Sequence, residues 1–572
     1  MKKFLIAIAL VLSALTASAD GLTIEQLAGD YVNIRVDANE TSRYLLLPIE
    51  EQAGESQMNI IANGNLVRSL NVRLAIGRTD YYVPIDLNEF RGKNLTITTH
   101  LSIDHGNHGG EGSRHRLSEI KLSNTFDKAN REKFRPVYHH TPEYGWMNDP
   151  NGMFYKDGEW HLFYQHNPYG STWGNMHWGH SVSKDLIHWE ELGDALAPDA
   201  IGTIFSGSSV VDQNNTAGFG RGAVVSMYTS CIQTPFGHDL QSQSLAYSTD
   251  GGKNFKKYEG NPILTSKISD FRDPNMFWHE PTQRWILMLA EKTHLNLYSS
   301  KDLKNWKYES NFGEDYGSHG GVWECPDLFE INGKWFLLLN INSGGPFGGS
   351  ATQYFVGNFD GHQFTCEDDK NEVKWLDYGK DHYATVSFSN APNGRVVVLP
   401  WMSNWQYANN VPTKQYRAAN GIARDLGSFS YKGETYLSVK PSPEVMAAFS
   451  KKATNKLSDA CRIDVQLKGN ATITLANGNG EQLTMTYDAK AETLAMDRTK
   501  SGDVSFSADF PAVTTSPTYG KVKNLQIFVD RSSIEVFDAD GKMGMTNIVF
   551  PSEPYNKITV KGGKAKIFDL NK

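Results

Sequence analysis

The residues Ser181-Val182-Ser183-Lys184-Asp185-Leu186-Ile187-His188-Trp189 contain a pattern that returns along the chain. A short apolar stretch ends in Ser, a polar turn follows, and an aromatic residue closes the unit. The unit recurs at 246–255 and 297–306, with a weaker copy at 354–364. Repeats roughly 50 to 65 residues apart, each long enough for several strands, are typical of β-propeller blades. The length of the region 135–440 then predicts about five blades.

The sequences on both sides of this region also favour strands. Alternating or β-branched runs occur at 81–85 and 94–98 before it, and at 525–530 and 533–537 after it. The chain has 51 Gly and 22 Pro, which suits short strands joined by turns. We therefore predict an all-β protein with four parts: a signal peptide at 1–19, an accessory N-terminal β-domain at 20–130, a five-bladed β-propeller catalytic domain at 135–440 and a C-terminal β-sandwich at 448–572.

The N-terminus has the pattern of a secretory signal. Met1-Lys2-Lys3 precedes an apolar run from Phe4 to Ala17, and Ala17-Ser18-Ala19 offers small residues for cleavage before Asp20. The alternative is a buried N-terminal helix. No cysteine lies near the cleavage site to carry a lipid, and no other apolar run approaches the ~20 residues of a membrane span. We expect an exported, periplasmic or extracellular protein that is not a lipoprotein.

Charge and cysteine content argue against several functions. A net charge of −8 without a long Lys/Arg run gives no basis for nucleic-acid binding. The four cysteines are too scattered for a disulfide framework or thiolate metal site, and we interpret them as buried thiols. His105, His108 and His115 admit a metal site, but their spacing favours a solvated loop over 104–116. We expect no metal and no organic cofactor.

Three acidic motifs are the candidates for chemistry. They are Trp146-Met147-Asn148-Asp149-Pro150-Asn151-Gly152, Phe271-Arg272-Asp273-Pro274 and Trp323-Glu324-Cys325-Pro326-Asp327. The charge of Arg272 is expected to keep Asp273 ionised, whereas apolar neighbours should raise the pKa of Glu324 and suit it to donate a proton. Taken singly, each acid is as well explained by a turn or a solvated surface. On different repeats of one propeller, all three can meet in its central funnel.

In this order and spacing the motifs resemble the signature of glycoside hydrolase family 32, the invertases, inulinases and levanases. The resemblance covers about 135–570. It implies that Asp149 is the nucleophile, Glu324 the acid/base and Asp273 the residue that stabilises the transition state and binds fructose hydroxyls. It also implies a set of sugar-binding residues, for which packing in the propeller core is the alternative: Asn148, Gln165, Trp173, Phe205, Ser206, Arg272 and Trp401.

The same resemblance implies a retaining reaction on β-fructans. Two carboxyl groups ~5 to 5.5 Å apart allow attack by one and proton donation by the other. The run Ser343–Ser350, followed by Thr352-Gln353-Tyr354-Phe355, is similar to a segment of exo-acting inulinases and levanases. Gln415–Asn420 departs from the usual Trp-Arg-Gly run. The substrate is expected to be levan or inulin, and sucrose in addition; the sequence does not choose between β-2,6 and β-2,1 linkages.

Three other functions remain open at this stage. A related propeller glycosidase acting on arabinofuranosides would invert, with its carboxyls ~6.5 to 9.5 Å apart. A fructan-binding protein would keep the sugar pocket without turnover, and a transferase would pass fructosyl units to a sugar acceptor. The N-terminal β-domain resembles accessory domains of gut bacterial fructanases, where packing, narrowing of the site entrance and glycan contact are all compatible roles.

Overall fold

A computed structural model describes residues 16–19, 21–27, 30–37, 42–102, 115–128, 131–234, 239–452 and 456–571. The chain forms two compact units, one made of 1–128 with 168–170 and the other of 129–167 with 171–572. The sites of the expected signal peptide before residue 16 and of most of the histidine loop (103–114) lie outside the described residues.

The first unit contains two antiparallel sheets around one apolar core. The six-stranded sheet has the order β1-β2-β3-β8-β5-β6 and the three-stranded sheet the order β7-β4-β9. In β3 alternate residues enter the core, namely Val32, Ile34 and Val36. The strands are β1 (Thr16–Ala19), β2 (Leu22–Gln26), β3 (Tyr31–Asp37), β4 (Tyr44–Ile49), β5 (Ser56–Ala62), β6 (Asn65–Val72), β7 (Tyr81–Asp86), β8 (Asn94–His100) and β9 (Lys121–Ser123).

The second unit begins with five sheets in succession. Their orders are β13-β12-β11-β10-β30, β14-β15-β16-β17, β19-β20-β21-β22, β23-β24-β25-β26 and β28-β29-β31-β32, with β18 and β27 added to the second and fourth sheets. The strands are β10 (Gly145–Lys156), β11 (Glu159–Asn167), β12 (His177–Ser183), β13 (Trp189–Leu196), β14 (Thr203–Asp212), β15 (Ala223–Ile232), β16 (Leu240–Ser248), β17 (Lys256–Lys257), β18 (Leu264–Thr265), β19 (Phe271–His279), β20 (Arg284–Glu291), β21 (His294–Ser300), β22 (Lys307–Phe312), β23 (Trp323–Ile331), β24 (Lys334–Ile341), β25 (Ala351–Phe359), β26 (Phe364–Cys366), β27 (Lys374–Trp375), β28 (Tyr383–Ser387), β29 (Val396–Trp401), β30 (Tyr416–Arg417), β31 (Arg424–Tyr431) and β32 (Glu434–Pro441).

The first strand of each sheet contacts the first strand of the next, and the ring closes. β10 meets β14, β14 meets β19, β19 meets β23, β23 meets β28, and β28 returns to β10. This is the arrangement of propeller blades around an axis. The all-β fold predicted from the sequence is confirmed.

The repeated sequence unit is a repeated turn. In Ser183/Asp185, Ser248/Asp250 and Ser300/Asp302, the Ser hydroxyl donates to the Asp carboxylate and the Asp backbone N–H donates back to the hydroxyl. Each turn joins the third strand of a sheet to the fourth. In the fourth sheet Asp360 caps the corresponding turn by accepting the N–H groups of His362 and Gln363.

The C-terminal strands form a sandwich around their own core. The first half of the long strand β34 pairs with β38, its second half pairs with β35, and β41 pairs along both halves. The layers enclose an apolar cluster that includes Ile463, Leu475 and Val536. The strands are β33 (Lys451–Lys452), β34 (Cys461–Ala476), β35 (Gln482–Asp488), β36 (Thr493–Lys500), β37 (Val513–Pro517), β38 (Asn524–Asp530), β39 (Ser533–Asp538), β40 (Gly544–Ile548) and β41 (Lys557–Asp569).

Helices contribute little to the described chain. One short α-helix, α1 (Pro443–Ala448), connects the propeller to the sandwich. Single 3-10 turns lie at Leu87–Phe90, Leu117–Glu119, Glu280–Thr282, Pro392–Gly394 and Ala408–Asn410. Nowhere in the described ranges is there a helix of the length and apolarity that a bilayer crossing requires.

Buried charges join the propeller to the sandwich. His139 contacts Asp530 and Glu535, each at 2.8 Å, and Arg424 contacts Asp377 at 2.8 Å and Glu535 at 2.6 Å. Their side chains are fully buried. Buried charges are tolerated when each has partners of opposite sign, so these groups tie the two parts together specifically.

Candidate active site

The first strand of every propeller sheet is interrupted at the same level. β-bulges let a strand turn a side chain out of the regular ladder, and they are frequent beside active sites. The interruptions in β10, β14, β19, β23 and β28 fall between Met147/Pro150, Ile204/Gly207, Arg272/Asn275, Glu324/Asp327 and Tyr383/Val386.

The three predicted acids lie on these bulges. Asp149 is in the first bulge, Asp273 is in the third with φ of 63°, and Glu324 borders the fourth, where Cys325 has φ of 45°. Positive φ is unfavourable for these residue types, and such strain is common where a side chain must be aimed at a site. The structure therefore brings together the acids that the sequence singled out.

Asp149 is held by donors on both oxygens. Asn148 Nδ2 donates to Oδ1 at 2.9 Å, and Ser206 Oγ donates to Oδ2 at 2.9 Å. The thiol of Cys325 is 3.6 Å from Oδ2. These contacts fix the rotamer of the carboxylate and leave it in the middle of the ring.

Asp273 is buried and shares that thiol. Its Oδ2 accepts the backbone N–H of Cys325 at 3.0 Å and lies 3.5 Å from Cys325 Sγ. Its own N–H donates to Thr229 Oγ1 at 3.1 Å. A single sulfur atom thus touches the carboxylates of Asp149 and Asp273.

Glu324 is surrounded by polar donors, and the expected apolar environment is wrong. Arg272 Nε and Nη2 donate to Oε1 at 3.0 and 2.8 Å, and the hydroxyl of Tyr383 donates to Oε2. Asp270 accepts from the remaining side of the guanidinium at 2.6 Å. Arg272 therefore donates two hydrogen bonds to Glu324 and is oriented by Asp270. The sequence had instead suggested that it pairs with its neighbour Asp273.

Burial and mutual repulsion raise the pKa of two of the acids. The pKa of Asp149 is raised to about 6 by burial and by the charge of Glu324, against the hydrogen bonds of Asn148 and Ser206. The pKa of Asp273 is raised to about 7 by burial and by Glu324, and Arg272 offsets only part of this. Arg272 favours the ionised form of Asp273, as expected from the sequence, but burial and the charge of Glu324 outweigh the guanidinium.

Besides Arg272, three of the predicted sugar-binding residues lie next to the acids or in the adjacent strand. Asn148 bridges the Trp146 indole N–H, at 2.8 Å, to Asp149. Ser206 contacts Asp149 directly. Gln165, buried in β11, has an amide nitrogen without a hydrogen-bond partner among the residues that the structure describes. A buried amide of this kind has a donor to offer a bound molecule.

The aromatic candidates divide into two groups. Trp173 and Phe205 are half-buried and meet edge to face, with ring centroids 5.9 Å apart. Trp401 is 0 % exposed and packs against Trp146 and Trp405. It supports the site from the core and has no surface to serve as a wall. The accessible ring at this position is that of Trp405, which is half-buried and stacks on Trp146.

Sequence reasoning missed several residues of the site. Cys325 was interpreted only as a buried thiol, and Tyr383 had no motif of its own; its place in the bulge of β28 becomes visible only once the ring closes. Within the atypical run 415–420, Arg417 donates to the carbonyls of Asn409 and Thr413. Asn409 in turn accepts the backbone N–H of Trp173 at 3.1 Å.

Comparison with known proteins agrees with this geometry. Residues 139–441 match the glycosyl hydrolases family 32 N-terminal domain, and 432–571 match the family 32 C-terminal domain. The chain belongs to glycoside hydrolase family 32. Residues 30–138 match a domain of unknown function, DUF4980, which precedes the two parts of the family 32 enzyme.

Similar proteins align with about three quarters of this chain. A levanase of Bacillus subtilis is 46% identical over 455 residues, which are 73% of this chain and 67% of the levanase. An extracellular exo-inulinase of Aspergillus niger is 39% identical over 485 residues, 74% of this chain and 90% of the relative. The crystal structure of an exo-inulinase from Aspergillus awamori superposes with a TM-score of 0.70 at 34% identity, covering 77% of this chain and 99% of that one.

No metal centre is evident in the part of the chain that the structure describes, where His, Cys, Asp and Glu side chains do not group into a ligand set. The four cysteines are free thiols, and all but Cys366 are buried.

Proposed function

We propose that this family 32 chain is a retaining β-fructofuranosidase that releases fructose from the non-reducing end of a β-fructan, levan or inulin, and that it also accepts sucrose. The observation that carries the proposal is the meeting of Asp149, Asp273 and Glu324 on three bulges of one ring. Burial and mutual repulsion make this cluster unfavourable for the fold, as the raised pKa values of Asp149 and Asp273 indicate. A catalytic role explains why acids from separate blades are nevertheless brought together.

The proposed reaction needs one acid that gives a proton to the leaving oxygen and two carboxylates. The charge of Glu324 raises the pKa of both Asp149 and Asp273. We assign proton donation to Glu324 because that is the role of its motif in family 32, and Asp149 and Asp273 act as the carboxylates.

The reaction proceeds as a double displacement. Asp149 attacks the anomeric carbon of the terminal fructosyl unit while Glu324 gives its proton to the leaving oxygen, and the glycosidic bond breaks. Glu324 then takes a proton from water, which displaces Asp149 and restores both carboxyl groups. Asp273 stabilises positive charge on the ring oxygen and anomeric carbon during both steps.

The sugar pocket follows from the residues around the acids. The unpartnered amide of Gln165 and the Asn148 side chain suit hydroxyl groups of one furanose ring. Trp173 and Phe205 form the wall, and Arg272, held by Asp270, binds a hydroxyl beside Glu324. We place Trp405, rather than Trp401, at the accessible edge of the pocket.

Amide variants test the roles of the acids. Asp149→Asn and Glu324→Gln are each expected to lower kcat on sucrose by on the order of 10³-fold or more, with circular dichroism unchanged. An activated fructoside, whose leaving group needs little protonation, should restore much of the first step in Glu324→Gln and none in Asp149→Asn. Either variant retaining a tenth of wild-type turnover contradicts its assignment.

The product distinguishes the alternatives. Proton NMR during early hydrolysis should show β-fructofuranose first; the α-anomer first would indicate inversion. If no fructose is released from levan, inulin or sucrose, the chain is a non-catalytic fructan-binding protein. Oligosaccharide products at high sucrose concentration would indicate transfer of fructosyl units to a sugar acceptor. Exo action predicts fructose as the sole early product from levan, whereas a ladder of short oligosaccharides would contradict it.

We also propose export and a four-part chain with the boundaries given above. Extracellular exo-inulinases among the relatives support secretion. Cleavage after Ala19 would remove β1, which pairs with β2 through Thr16–Ala19, and leave β2 as the edge strand. Intact-mass measurement of the secreted protein should give a mature chain beginning at Asp20; a mass that retains 1–19 would contradict this.

A further inference from the structure

The outer face of the N-terminal six-stranded sheet consists mainly of polar side chains in register, with Ile61 and Leu66 at one edge. Strand pairing aligns three rows across the sheet, which together we call the amide face. The rows are Tyr31-His100-Gln57-Asn71, Glu25-Asn33-Thr98-Asn59-Ser69 and Thr23-Arg35-Thr96-Ile61-Leu66.

The amide face points away from the core. The residues between its members, such as Ile34, Ile97 and Met58, are fully buried. Successive side chains of a strand point to opposite sides, so the members of the rows are directed outward. All of them are half-buried or exposed. The face is therefore open to a ligand.

Its composition differs from that of the chain as a whole. Charged residues make up 21% of the sequence, but the three rows have one acid and one base, Glu25 and Arg35, which pair at 3.2 Å. The exposed Asp37 continues the outward side of β3 beyond the third row, opposite Asn94, and adds one acid. The remaining members are mainly amides and hydroxyls. A surface with so few charges gives little attraction to polyanions or polycations and suits a neutral polymer.

The spacing and the edge of the face suit a sugar chain. Neighbouring strands lie about 4.8 Å apart and alternate residues about 6.8 Å apart, so amides and hydroxyls form a grid on the scale of a monosaccharide. At one end Tyr31 is 53% exposed, and its ring lies 4.6 Å from that of His100. An aromatic ring held in place offers a flat apolar surface to the C–H side of a sugar.

We propose that the amide face is a non-catalytic binding site for a β-fructan chain, which keeps the polymer on the enzyme between cleavage events. The choice of fructan among neutral polysaccharides rests on the proposed function. The site itself rests on the register, charge and exposure of the N-terminal sheet.

The test is retardation in native gels that contain levan or inulin. The full chain with Glu324→Gln is used so that the matrix is not digested. Adding Tyr31→Ala with Gln57→Ala, or Thr98→Lys at the centre of the face, should reduce retardation at least threefold. Gln52→Ala removes an exposed glutamine in a turn outside the face and should change nothing.

Kinetics separate this inference from the proposed function. In the active background the same substitutions should leave kcat/KM for sucrose unchanged and lower it for polymeric levan. Retardation that survives them, or equal retardation in dextran gels, overturns the fructan site. A dimer that dissociates with Tyr31→Ala would make the face a self-association surface and also overturn it. A wild-type chain that is retarded but releases no fructose would refute only the catalytic proposal.

Discussion

Ser206 is predicted to influence the lower pH limit of activity through its hydrogen bond to Asp149. In the proposed reaction Asp149 is the nucleophile and must be ionised, and its pKa of about 6 means that its ionised fraction falls as the pH drops through that value. Because the hydroxyl lowers this pKa, Ser206→Ala should move the acid limb of the kcat/KM profile to higher pH. The measurement is sucrose hydrolysis from pH 4 to 8.

Ser208 provides the matched control on the same strand. Its hydroxyl accepts the N–H of Met276 at 2.9 Å, and in the described part of the chain it makes no hydrogen bond to Asp149, Asp273 or Glu324. Ser208→Ala should leave the acid limb in place. An unshifted limb in Ser206→Ala, with wild-type behaviour in Ser208→Ala, would show that Asp149 is not the group that titrates.

Cys325 is expected to matter through its contacts with the two aspartates. Cys325→Ala removes a donor shared by Asp149 and Asp273, and a hydrogen bond of this kind contributes about 0.5 to 1.5 kcal/mol. The expected loss of kcat/KM at pH 6 is roughly two- to tenfold by the same figure. Cys325→Ser keeps a donor and should recover most of the activity. Equal losses in both variants would point to packing instead.

At the scale of single residues, the sequence predicted which acids meet but not how their charges are arranged. The motifs locate the acids near strand starts: Asp149 and Asp273 each directly precede a proline, and Glu324 precedes Cys325-Pro326. Arg272 was assigned to its neighbour in the chain, yet the bulge turns consecutive side chains apart and directs the guanidinium to Glu324. Tyr383 and Cys325 carry no signal in sequence, because their partners are distant along the chain.

At the scale of elements, the segment around His139 should make stability depend on pH. Its pKa is raised to about 9 by Asp530 and Glu535 despite burial. A raised histidine pKa stabilises the fold fully below about 6.5, and the benefit is lost as the pH rises through about 9. The loss is on the order of 3 kcal/mol. His139→Gln should remove this dependence in urea unfolding at pH 6, 8 and 10.

His140 is the control for this prediction. It is equally buried, but burial lowers its pKa to about 4, and Asn420 and Ser181 hold it through hydrogen bonds. His140→Gln therefore leaves the charge unchanged above pH 6. Its unfolding free energy should still decline between pH 8 and 10, as in the wild type; a flat profile there would place the titration elsewhere.

The blades were predictable because their turns repeat locally. The Ser-x-Asp turn depends on hydrogen bonds within five residues, so it can be recognised from the local sequence. Three copies have the full pattern, and the fourth, at Asp360, is weaker. The fifth sheet closes with the hairpin Tyr431–Glu434 and carries no such turn. Strand β30 lies in the chain between β29 and β31 of the fifth sheet, but it pairs with β10 of the first sheet across more than 250 residues. No local pattern in the sequence predicts this pairing.

At the scale of the whole molecule, Arg424 should be essential for joining the propeller to the sandwich. Arg424→Met leaves Asp377 buried without its counter-charge and leaves Glu535 with His139 as its remaining cationic partner, and breaking such a group typically costs about 3 to 5 kcal/mol. Arg395 also has two acidic partners, Asp425 and Glu444, but its side chain is 20% exposed. Arg395→Met should cost about 1 kcal/mol or less.

Differential scanning calorimetry distinguishes the two arginines. The wild-type propeller and sandwich should melt in one transition, and Arg424→Met should lower its midpoint or split it. Arg395→Met should leave a single transition near the wild-type midpoint. Similar midpoints for the two variants would show that the buried ion group does not hold the two parts together.

The ring of bulges has a consequence for how the chain gains activity as it folds. The three acids come from the first, third and fourth sheets, and Tyr383 comes from the fifth. The site is therefore incomplete until the ring of five sheets has closed, even when each sheet has already formed. Catalytic activity therefore requires that the fifth sheet has packed against the first. During refolding, activity should recover later than the β-strand content.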